Sequence, residues 1–382
     1  MATTRTPYTD SNLHRRVISD MIGNIDRTEA PLLKRLGVNN ESREGFLNWP
    51  PGNAKKIEWL EDSMSPLTDA LNGAIDASQT SIVVDNGSYF HMGHVLEIDS
   101  EWMVVESVST NTLTVTRAQA GTTAATHADN AVITIRGIAQ LTGANYTIGH
   151  TTTTSPFYNY VQTIEEGIRV NDDQQMATDY GVADTMAYHL AKLVGGGKVG
   201  SKGKAGQLTL LLCDMAYHGK RQQPTDTVRG MAGGLATYIT TNLTGDTSTA
   251  LSRPTIETQL RNIYIAGGKP DLLVTSPWGA TKIVSFYEGQ YRYTTSETVG
   301  GIEVLKIRTP VGEVEVMMDW RCPTTKTYIL DTERVGWITV NPFAVRKFEP
   351  QGYYQVSSVK GDYSFIVKNE EAHAIITHSA TL

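Results

Sequence analysis

Apolar and polar residues alternate with period two over a large part of this chain, a pattern typical of β-strands. The densest such region runs from about residue 77 to 136, where short β-branched runs are separated by polar turns such as Asn86-Gly87. Within it, Leu113 and Val115 alternate with threonines. The pattern therefore predicts a small β-module in residues 77–136 that folds on its own.

Other segments repeat apolar residues at steps of three and four, which predicts helices. The strongest apolar stripe, preceded by Asn171 as a candidate N-cap, comprises Met176, Tyr180, Ala183, Ala187, Leu190 and Val194. It predicts one continuous helix from residue 171 to 194. Three further helices are predicted in QLTLLLCDMAYHGK, TIETQLRNIYIAGG and PWGATKIVSFYEG. The glycine- and lysine-rich residues 195–206 predict a mobile loop.

The two ends of the chain differ in character. The first forty residues have too few apolar positions to enclose a core, and they predict an arm with short helical turns that end at Gly37. EGFLNWPPGNAKKIEWLEDSM predicts two strands around a turn at residues 50–53. From Gly301 onward strands dominate. Because helices and strands are interleaved irregularly, the predicted fold class is α+β.

Charge and composition narrow the class of protein. The 382 residues contain 33 Lys and Arg against 40 Asp and Glu, a net charge of −7, which argues against a dedicated nucleic-acid binder. Apolar runs are too short to cross a bilayer, and the first residues lack the apolar core of a signal peptide. Cys213 and Cys322 are predicted to be unpaired thiols. We therefore expect a soluble protein that folds in a reducing cytoplasm.

The sequence HMGH at residues 91–94 matches the H-x-G-H motif of class I aminoacyl-tRNA synthetases and related nucleotidyltransferases. That chemistry needs both imidazoles at a helix N-terminus, where free N–H groups hold the triphosphate. The residues that follow His94 instead predict a strand. We therefore interpret His91 and His94 as residues of a hairpin and expect no nucleotide chemistry.

Other catalytic motifs are missing from the sequence. There is no P-loop, no H-E-x-x-H and no G-x-S-x-G, and the two S-x-x-K matches at 201–204 and 357–360 lack their partner motifs. His127 is the nearest further histidine to His91 and His94, which falls short of the three or four ligands of a zinc site. The sequence thus predicts no catalytic, cofactor-binding or metal-binding residue, and a protein that is not an enzyme.

Three phrases and the order of the segments resemble the major capsid proteins of tailed phages with the HK97-type fold. KKIEWLEDSM is similar to the start of the extended loop of such proteins, IYIAGGKPDLLVTSP to the beginning of their axial domain, and VKNEEAHAIIT to their closing strand. The resemblance covers essentially the whole chain. It implies an icosahedral or prolate shell that encloses the phage genome.

The resemblance also implies a division of the chain. Its parts are an N-terminal arm (1–43), an extended loop (44–155) carrying an all-β insertion domain (about 77–136), a peripheral domain with a long spine helix (156–251), an axial domain (252–340) and closing peripheral strands (341–382). The implied partner is the chain itself, in hexamers and pentamers, with decoration, scaffold and portal proteins as further candidates. The shell would enclose DNA without sequence-specific binding or a membrane, and would assemble in the host cytoplasm to become the virion capsid.

Three alternatives remain open: a bacterial nanocompartment shell of the same fold, a β-rich phage adhesin or tail component, and a hydrolase or nucleotidyltransferase that uses His91 and His94. For a shell, candidate inter-subunit contacts are Ile57 and Trp59, which share one face of a predicted strand, and the nearby Trp49. A projecting hairpin has little core of its own, so we expect Trp59 to be buried against the adjacent subunit. The alternative is that Trp59 packs inside its own subunit.

Overall fold

A computed structural model describes residues 29–37, 55–143, 152, 154–176, 184–195, 206–287, 297–299, 302–350 and 352–380. These residues form seven α-helices and eighteen β-strands, which agrees with the predicted mixture of the two. The helices are α1 Pro31–Leu36, α2 Asp172–Met176, α3 Thr185–Val194, α4 Gln207–His218, α5 Leu235–Tyr238, α6 Arg253–Ile265 and α7 Pro277–Tyr287.

The strands follow in chain order, and their bounds are β1 Lys56–Glu61, β2 Thr68–Ala70, β3 Ser81–Val83, β4 His94–Ile98, β5 Glu101–Ser109, β6 Thr112–Thr116, β7 Val132–Ile138, β8 Ser155–Tyr160, β9 Gln162–Asn171, β10 Leu243–Thr244, β11 Leu272–Thr275, β12 Glu297–Val299, β13 Ile302–Thr309, β14 Gly312–Met318, β15 Lys326–Leu330, β16 Val335–Lys347, β17 Tyr354–Val367 and β18 Ala374–Thr377.

The chain divides into two compact units, and the division falls within the paired strands β1 and β8. The first unit contains the described residues up to Trp59 and from Tyr158 onward. It holds a seven-stranded sheet in the order β10-β18-β15-β11-β14-β13-β12 and a three-stranded sheet in the order β16-β17-β9. Strand β11 is central and buried along its whole length, as its continuous apolar run predicts.

The sheets of the first unit do not follow the predicted boundary at residue 340. Strand β16 crosses that boundary, and β18 pairs antiparallel with β15 rather than with β17. The last strand therefore belongs to the sheet built from the predicted axial range. The domain bounds predicted from the sequence stay predictions.

Helix α1 is firmly packed in the first unit. Its side chains Leu32, Leu33 and Leu36 are buried in the main hydrophobic core, and Arg35 forms an ion pair of 3.0 Å with Glu315. Gly37, at φ 71°, ends the helix as predicted. Part of the predicted arm is thus anchored in the core, and residues 1–28 and 38–43 lie outside the described residues.

The predicted continuous helix from 171 to 194 is wrong. Asp184 has an extended backbone (φ −145°, ψ 109°), and its carboxylate accepts the Ala187 N–H as the N-cap of α3. Gln175, in α2, donates to Asp184 Oδ1 at 2.8 Å and accepts the Met186 N–H at 3.1 Å. A new helix therefore starts at residue 185, because a short acidic side chain at an N-cap satisfies free N–H groups. The predicted loop at 195–206 lies mostly outside the described residues.

The other three predicted helices are confirmed as α4, α6 and α7, with Pro277 at the first position of α7. Cys213 and Cys322 are free and buried, in agreement with the predicted unpaired thiols. Among the described residues, no helix combines the length and apolarity needed to cross a membrane.

The second unit, residues 60–157, contains a six-stranded sheet in the order β2-β7-β4-β5-β6-β3. Beyond the two outer strands, the Asn72 N–H donates to the Val83 carbonyl at 2.9 Å and the Asp85 N–H donates to the Ala70 carbonyl at 3.1 Å. These bonds join the first strand to the last and close the sheet into a barrel, which leaves no free strand edge. The barrel has its own apolar core, which includes Leu96.

Candidate inter-subunit surfaces

The face alternation predicted for KKIEWLED is present in β1. Ile57 and Trp59 are buried on one face, whereas Lys56, Glu58 and Leu60 are exposed on the other. This follows from the two-residue repeat of a strand. The two faces of β1 thus have different surroundings.

The buried face of β1 belongs to the core of its own subunit. Ile57 and Trp59 form an apolar cluster with Ile338, Val340 and Ile366. Trp59 is only 4% exposed in the single chain. The structure therefore favours the alternative in which Trp59 packs inside its own subunit. Neither side chain is available on the surface to anchor a neighbour.

Trp49, the third predicted inter-subunit contact, lies outside the described residues. Its role therefore stays a prediction. Leu60 is the large apolar residue on the exposed face of β1, with 68% of its surface exposed. Sequence reasoning passed over Leu60 because it followed the larger aromatic side chain.

Two cationic side chains contact the ring of Tyr158, which lies in the part of β8 that belongs to the first unit. The Lys56 Nζ atom lies 4.3 Å and the Arg221 Cζ atom 4.4 Å from the ring centre. The Tyr238 hydroxyl donates to the Tyr158 carbonyl at 2.9 Å, and the Tyr238 ring lies 5.7 Å from that of Trp59. Cation–π contacts of this kind hold aromatic rings in fixed positions.

Asn159, fully buried, adds four hydrogen bonds at the same place. Its Nδ2 atom donates to the carbonyls of Gly233 (3.0 Å) and Phe365 (2.6 Å), and its Oδ1 atom accepts the N–H groups of Gly233 (2.9 Å) and Tyr160 (2.8 Å). Every polar group of the amide is satisfied, so the base of β8 is fixed in the first unit. No pattern in the sequence predicts this role of Asn159.

Large apolar side chains are exposed on the two segments that flank the barrel, residues 60–67 and 138–143. The exposed fractions are 68% for Leu60, 94% for Met64, 64% for Leu67, 62% for Ile138 and 82% for Leu141. Single exposed apolar residues are ordinary on a monomer, but several on two short segments make these segments a candidate interaction surface. We call residues 60–67 and 138–143 the flanking segments.

A second exposed apolar group lies at the tip of the β16–β17 hairpin. Tyr353 is 79% and Phe348 48% exposed, and Met176, at the end of α2, is 84% exposed. The Asp172 N–H donates to the Tyr353 carbonyl at 3.0 Å, which joins α2 to the hairpin tip. The tip is therefore a second candidate contact surface.

The residues of HMGH form a turn that leads into β4, so the predicted strand after His94 is confirmed. Gly93 has φ 87°, which favours glycine, and the His91 N–H donates to His94 Nδ1 at 3.3 Å. Upstream, a Cβ on Gly87 would lie 1.8 Å from the Thr110 carbonyl oxygen, which explains the glycine there. The motif lies in the connection between β3 and β4, which do not pair with each other, so the predicted hairpin is wrong. A strand rather than a helix follows the motif, so the two histidines are not at a helix N-terminus.

The barrel contains a buried ionic centre that the sequence did not reveal. Arg117 donates to Glu101 from Nε (3.0 Å) and Nη2 (2.6 Å), and Glu101 is 1% exposed. Burial raises the pKa of Glu101, but hydrogen bonds from Arg117, the Ala125 amide and His127 outweigh it and hold the pKa at about 2. The centre fastens β5 to the chain after β6, because every group in it is paired.

A cleft of about 840 Å³ in the first unit has polar and charged walls that include Lys55, Arg229 and Lys360. Its carboxylate Asp362 accepts hydrogen bonds from Thr163 Oγ1 (2.5 Å) and from Asn341. No histidine, serine or cysteine lines this cleft. In the described part of the chain, no three His, Cys, Asp or Glu side chains are grouped so as to hold a metal ion.

Comparison with solved structures identifies the fold. The chain is similar in fold to the capsid protein of a native GTA particle (TM-score 0.55, 8% identity, covering 99% of this chain and 100% of that one). It is also similar to a capsid protein of cyanophage A-1(L) (TM-score 0.54, 13% identity, covering 99% and 100%) and to that of Myoviridae phage XM1 (0.50, 10%, 97% and 98%). At these identities the likeness shows the fold alone, which is that of phage capsid proteins.

The family follows from the sequence itself. The model of the SU10 major capsid protein family matches residues 2–197 and 204–380, and the chain belongs to this family. No curated protein sequence matches it. The resemblance to tailed-phage major capsid proteins is thereby confirmed, and the chain is a structural component of a bacteriophage virion. The family indicates a structural role, in which the protein associates with itself to form a shell.

Proposed function

We propose that the chain is an HK97-type subunit that closes into an icosahedral or prolate shell through rings of five and six copies. Closed shells need heterologous contacts, in which each subunit uses several different surfaces. The single observation that carries the proposal is the exposure of large apolar side chains on the flanking segments of a protein from a capsid family. The proposed role is structural, without catalysis.

The proposed organisation of the subunit keeps the predicted parts. Residues 1–43 act as the arm, 44–155 as an extended loop, and 156–251, 252–340 and 341–382 as peripheral, axial and closing parts. Within the extended loop, the barrel acts as an insertion domain. Its support is the compactness of residues 60–157 and their separate apolar core. The closing β18 would complete the axial sheet, since it pairs with β15.

The flanking segments are the proposed contact with a second copy of this chain. Leu60 and Met64 are largely exposed among the described residues, so their burial against a neighbour would remove apolar surface from water. Assembly in the host cytoplasm, enclosure of DNA without sequence-specific binding, and contacts with decoration, scaffold or portal proteins complete the proposal.

Replacement of Leu60, Met64 and Leu67 together by serine tests this contact. We expect the yield of shells on a sizing column to fall at least tenfold, while the free subunit unfolds at an unchanged temperature. The matched control replaces Ser63 and Ser65 of the same segment by alanine and should assemble normally. Normal assembly of the triple variant would contradict the proposed contact.

Two of the three alternatives were a nanocompartment shell and an adhesin or tail component. The family match favours the capsid of a phage over both. Electron microscopy would separate a shell from an adhesin or tail component directly, since a tail component gives fibres or open tubes.

A further inference from the structure

The cleft of about 840 Å³ in the first unit is built on one face of the three-stranded sheet β16-β17-β9. Lys360 of β17 lies opposite Glu165 of β9. Asp362 of β17 lies between Thr163 of β9 and Asn341 of β16. Alternate residues of a strand share a face, so these side chains meet on the same side of the sheet. They form the floor of the cleft.

Neutral donors engage the two carboxylates of the floor. Asp362 accepts hydrogen bonds from Thr163 Oγ1 at 2.5 Å and from Asn341 Nδ2 at 2.6 Å. Glu165 accepts a hydrogen bond from Ser358 Oγ at 3.1 Å. Both carboxylates are therefore held in place by side chains of the same sheet, without the help of a cation.

Three basic side chains border the cleft, Lys55 before β1, Arg229 in the loop between α4 and α5, and Lys360 in β17. Within the residues that the structure describes, none of these three side chains forms a hydrogen bond or an ion pair. Lys360 does not pair even with Glu165, which lies opposite it. The free binding capacity of the cleft is therefore cationic, and its ligand should carry negative charge. We call it the cationic cleft.

The arrangement of charges selects the class of ligand. A nucleic acid carries a charge on every phosphate, and its tight binding needs many basic contacts. In the cationic cleft Glu165 and Asp362 lie among the basic residues and would repel a continuous row of phosphates. An extended peptide has carboxylates on some side chains only, and its backbone N–H groups can donate to the remaining lone pairs of Glu165 and Asp362. A carboxylate also suits Arg229, whose guanidinium can bind it through two N–H groups.

The polarity of the cleft indicates where such a peptide comes from. Permanent contacts between identical subunits are more apolar than transient contacts between different proteins. The cationic cleft is lined mostly by charged and polar side chains, whereas the flanking segments expose large apolar ones. The cleft therefore suits a partner that binds reversibly rather than a permanent neighbour in a shell.

We infer that the cationic cleft binds an extended acidic segment of a separate protein. Asp or Glu side chains of that segment contact Lys55, Arg229 and Lys360, and its backbone lies over the carboxylates of the floor. The free subunit already contains the whole site, so the inference does not require that a shell forms.

A synthetic peptide tests the inference on the folded, full-length subunit. The probe is a fluorescein-labelled peptide in which glutamate alternates with serine, and the comparison peptide has glutamine in place of glutamate. Fluorescence anisotropy measures binding of each peptide. We expect the acidic peptide to bind and the glutamine peptide not to bind. Binding should weaken as the salt concentration rises, because the contacts are between exposed charges.

Two variants with equal loss of charge locate the binding site. The cleft variant combines Lys55→Gln, Arg229→Gln and Lys360→Gln, and it should bind the acidic peptide about tenfold more weakly or worse. The control variant removes three exposed cations outside the cleft and should bind as tightly as the unmodified subunit; its substitutions are Arg261→Gln, Lys269→Gln and Arg308→Gln. Thermal melts check that each variant is folded. If the cleft variant is unfolded, Arg229→Gln alone, in an exposed loop, takes its place.

Three results would overturn the inference. The first is that the acidic peptide does not bind, or binds equally to the cleft variant and the control variant. The second is that a duplex oligonucleotide displaces the peptide and loses its own binding in the cleft variant, which would make the cleft a phosphate site. The third is that the folded cleft variant forms no shells while the control variant does, which would assign the cleft to a second copy. If the unmodified protein forms no shells, only the proposed function is contradicted.

Discussion

The Nε2 atom of His127 lies 3.0 Å from the Oε2 atom of Glu101, and both side chains are buried in the barrel. On its other side, the His127 Nδ1 atom lies 2.6 Å from Asp99 Oδ2. His127 is thus held between two carboxylates, while the Arg117 Nη2 atom contacts the same Oε2 atom of Glu101 at 2.6 Å. Glu101 is thus the carboxylate that pairs with both buried cationic or polar side chains, Arg117 and His127.

We predict that Glu101→Gln lowers the stability of the barrel by about 3–5 kcal/mol, because Arg117 would be left buried without its counter-charge. Glu106→Gln is the matched control, since Glu106 lies on the same strand and is exposed. It should change stability by less than about 0.5 kcal/mol. Chemical denaturation of the full chain, monitored by hydrogen exchange of the β5 and β6 amides, measures the stability change of both variants. Equal effects of the two substitutions would refute a special role of Glu101.

The two units should lose stability in different pH ranges. Burial, opposed in part by a hydrogen bond to the Lys368 carbonyl, lowers the pKa of His373 in the first unit to about 4 from 6.5. Because the unfolded chain takes up this proton first, the first unit loses stability as the pH falls from 6.5 toward 4, by up to about 3 kcal/mol. The pKa of Glu101 is lowered from 4.5 to about 2, so its contribution is present above pH 4.5 and is lost only below it.

At pH 5 we therefore expect weakened protection of β18 amides and unchanged protection of the barrel. Hydrogen exchange at pH 7 and pH 5, corrected for the intrinsic exchange rates, measures this difference. His373→Asn should reduce the pH dependence of the first unit within this range, and the part that remains is expected from His378, because burial lowers its pKa as well. If the barrel amides lost protection at a higher pH than the β18 amides, the proposed roles of His373 and Glu101 would be contradicted.

Two fragments of the chain test whether the barrel folds on its own. Residues 60–157 contain all six strands, whereas the sequence-predicted module 77–136 lacks β2 and the core residues Leu71 and Ile75. We predict a cooperative thermal transition for the longer fragment and none for the shorter one. If residues 60–157 gave the circular dichroism spectrum of an unfolded chain, the barrel would depend on other parts of the protein.

Adjacent residues of β1 separate packing from assembly. Trp59→Ala should lower the stability of the free subunit by about 3–5 kcal/mol, because Trp59 is buried in the cluster with Ile338 and Ile366. Leu60→Ala should leave subunit stability unchanged and reduce the yield of shells. Thermal melts of the free subunit and sizing chromatography measure the two effects. The reverse result, with Trp59→Ala affecting only assembly, would support the original inter-subunit prediction for Trp59.

Local patterns predicted most strands and helices correctly, and the failures have identifiable causes. The strand after His94 and the helix starting at Pro277 follow from residue spacing within a few positions. The burial of Trp59 depends on Ile338 and Ile366, about 300 residues away, and no local pattern reports such contacts. The break before α3 did have a local signal, an aspartate three residues before Ala187, which the continuous apolar stripe outweighed.

Some features of the candidate surfaces could also be predicted from the sequence, and others could not. The two faces of β1 follow from the alternation of residues in the sequence. The cationic cleft does not, because Lys55, Arg229 and Lys360 are far apart in the chain and meet only in the fold. The ionic centre of the barrel could not be predicted, since Glu101, Arg117 and His127 meet only when the sheet closes. The exposure of the flanking segments could not be predicted either. Whether Met64 is exposed depends on the tertiary packing around it, which a local pattern does not report.

The central claim, that this chain associates with itself into a closed shell, is tested most directly by electron cryomicroscopy of the purified full-length protein. We predict hollow particles with five- and six-membered rings of one subunit, in which β1 and β8 extend toward a neighbouring copy. A preparation containing only monomers, fibres or open tubes, under conditions in which the free subunit is folded, would contradict the account.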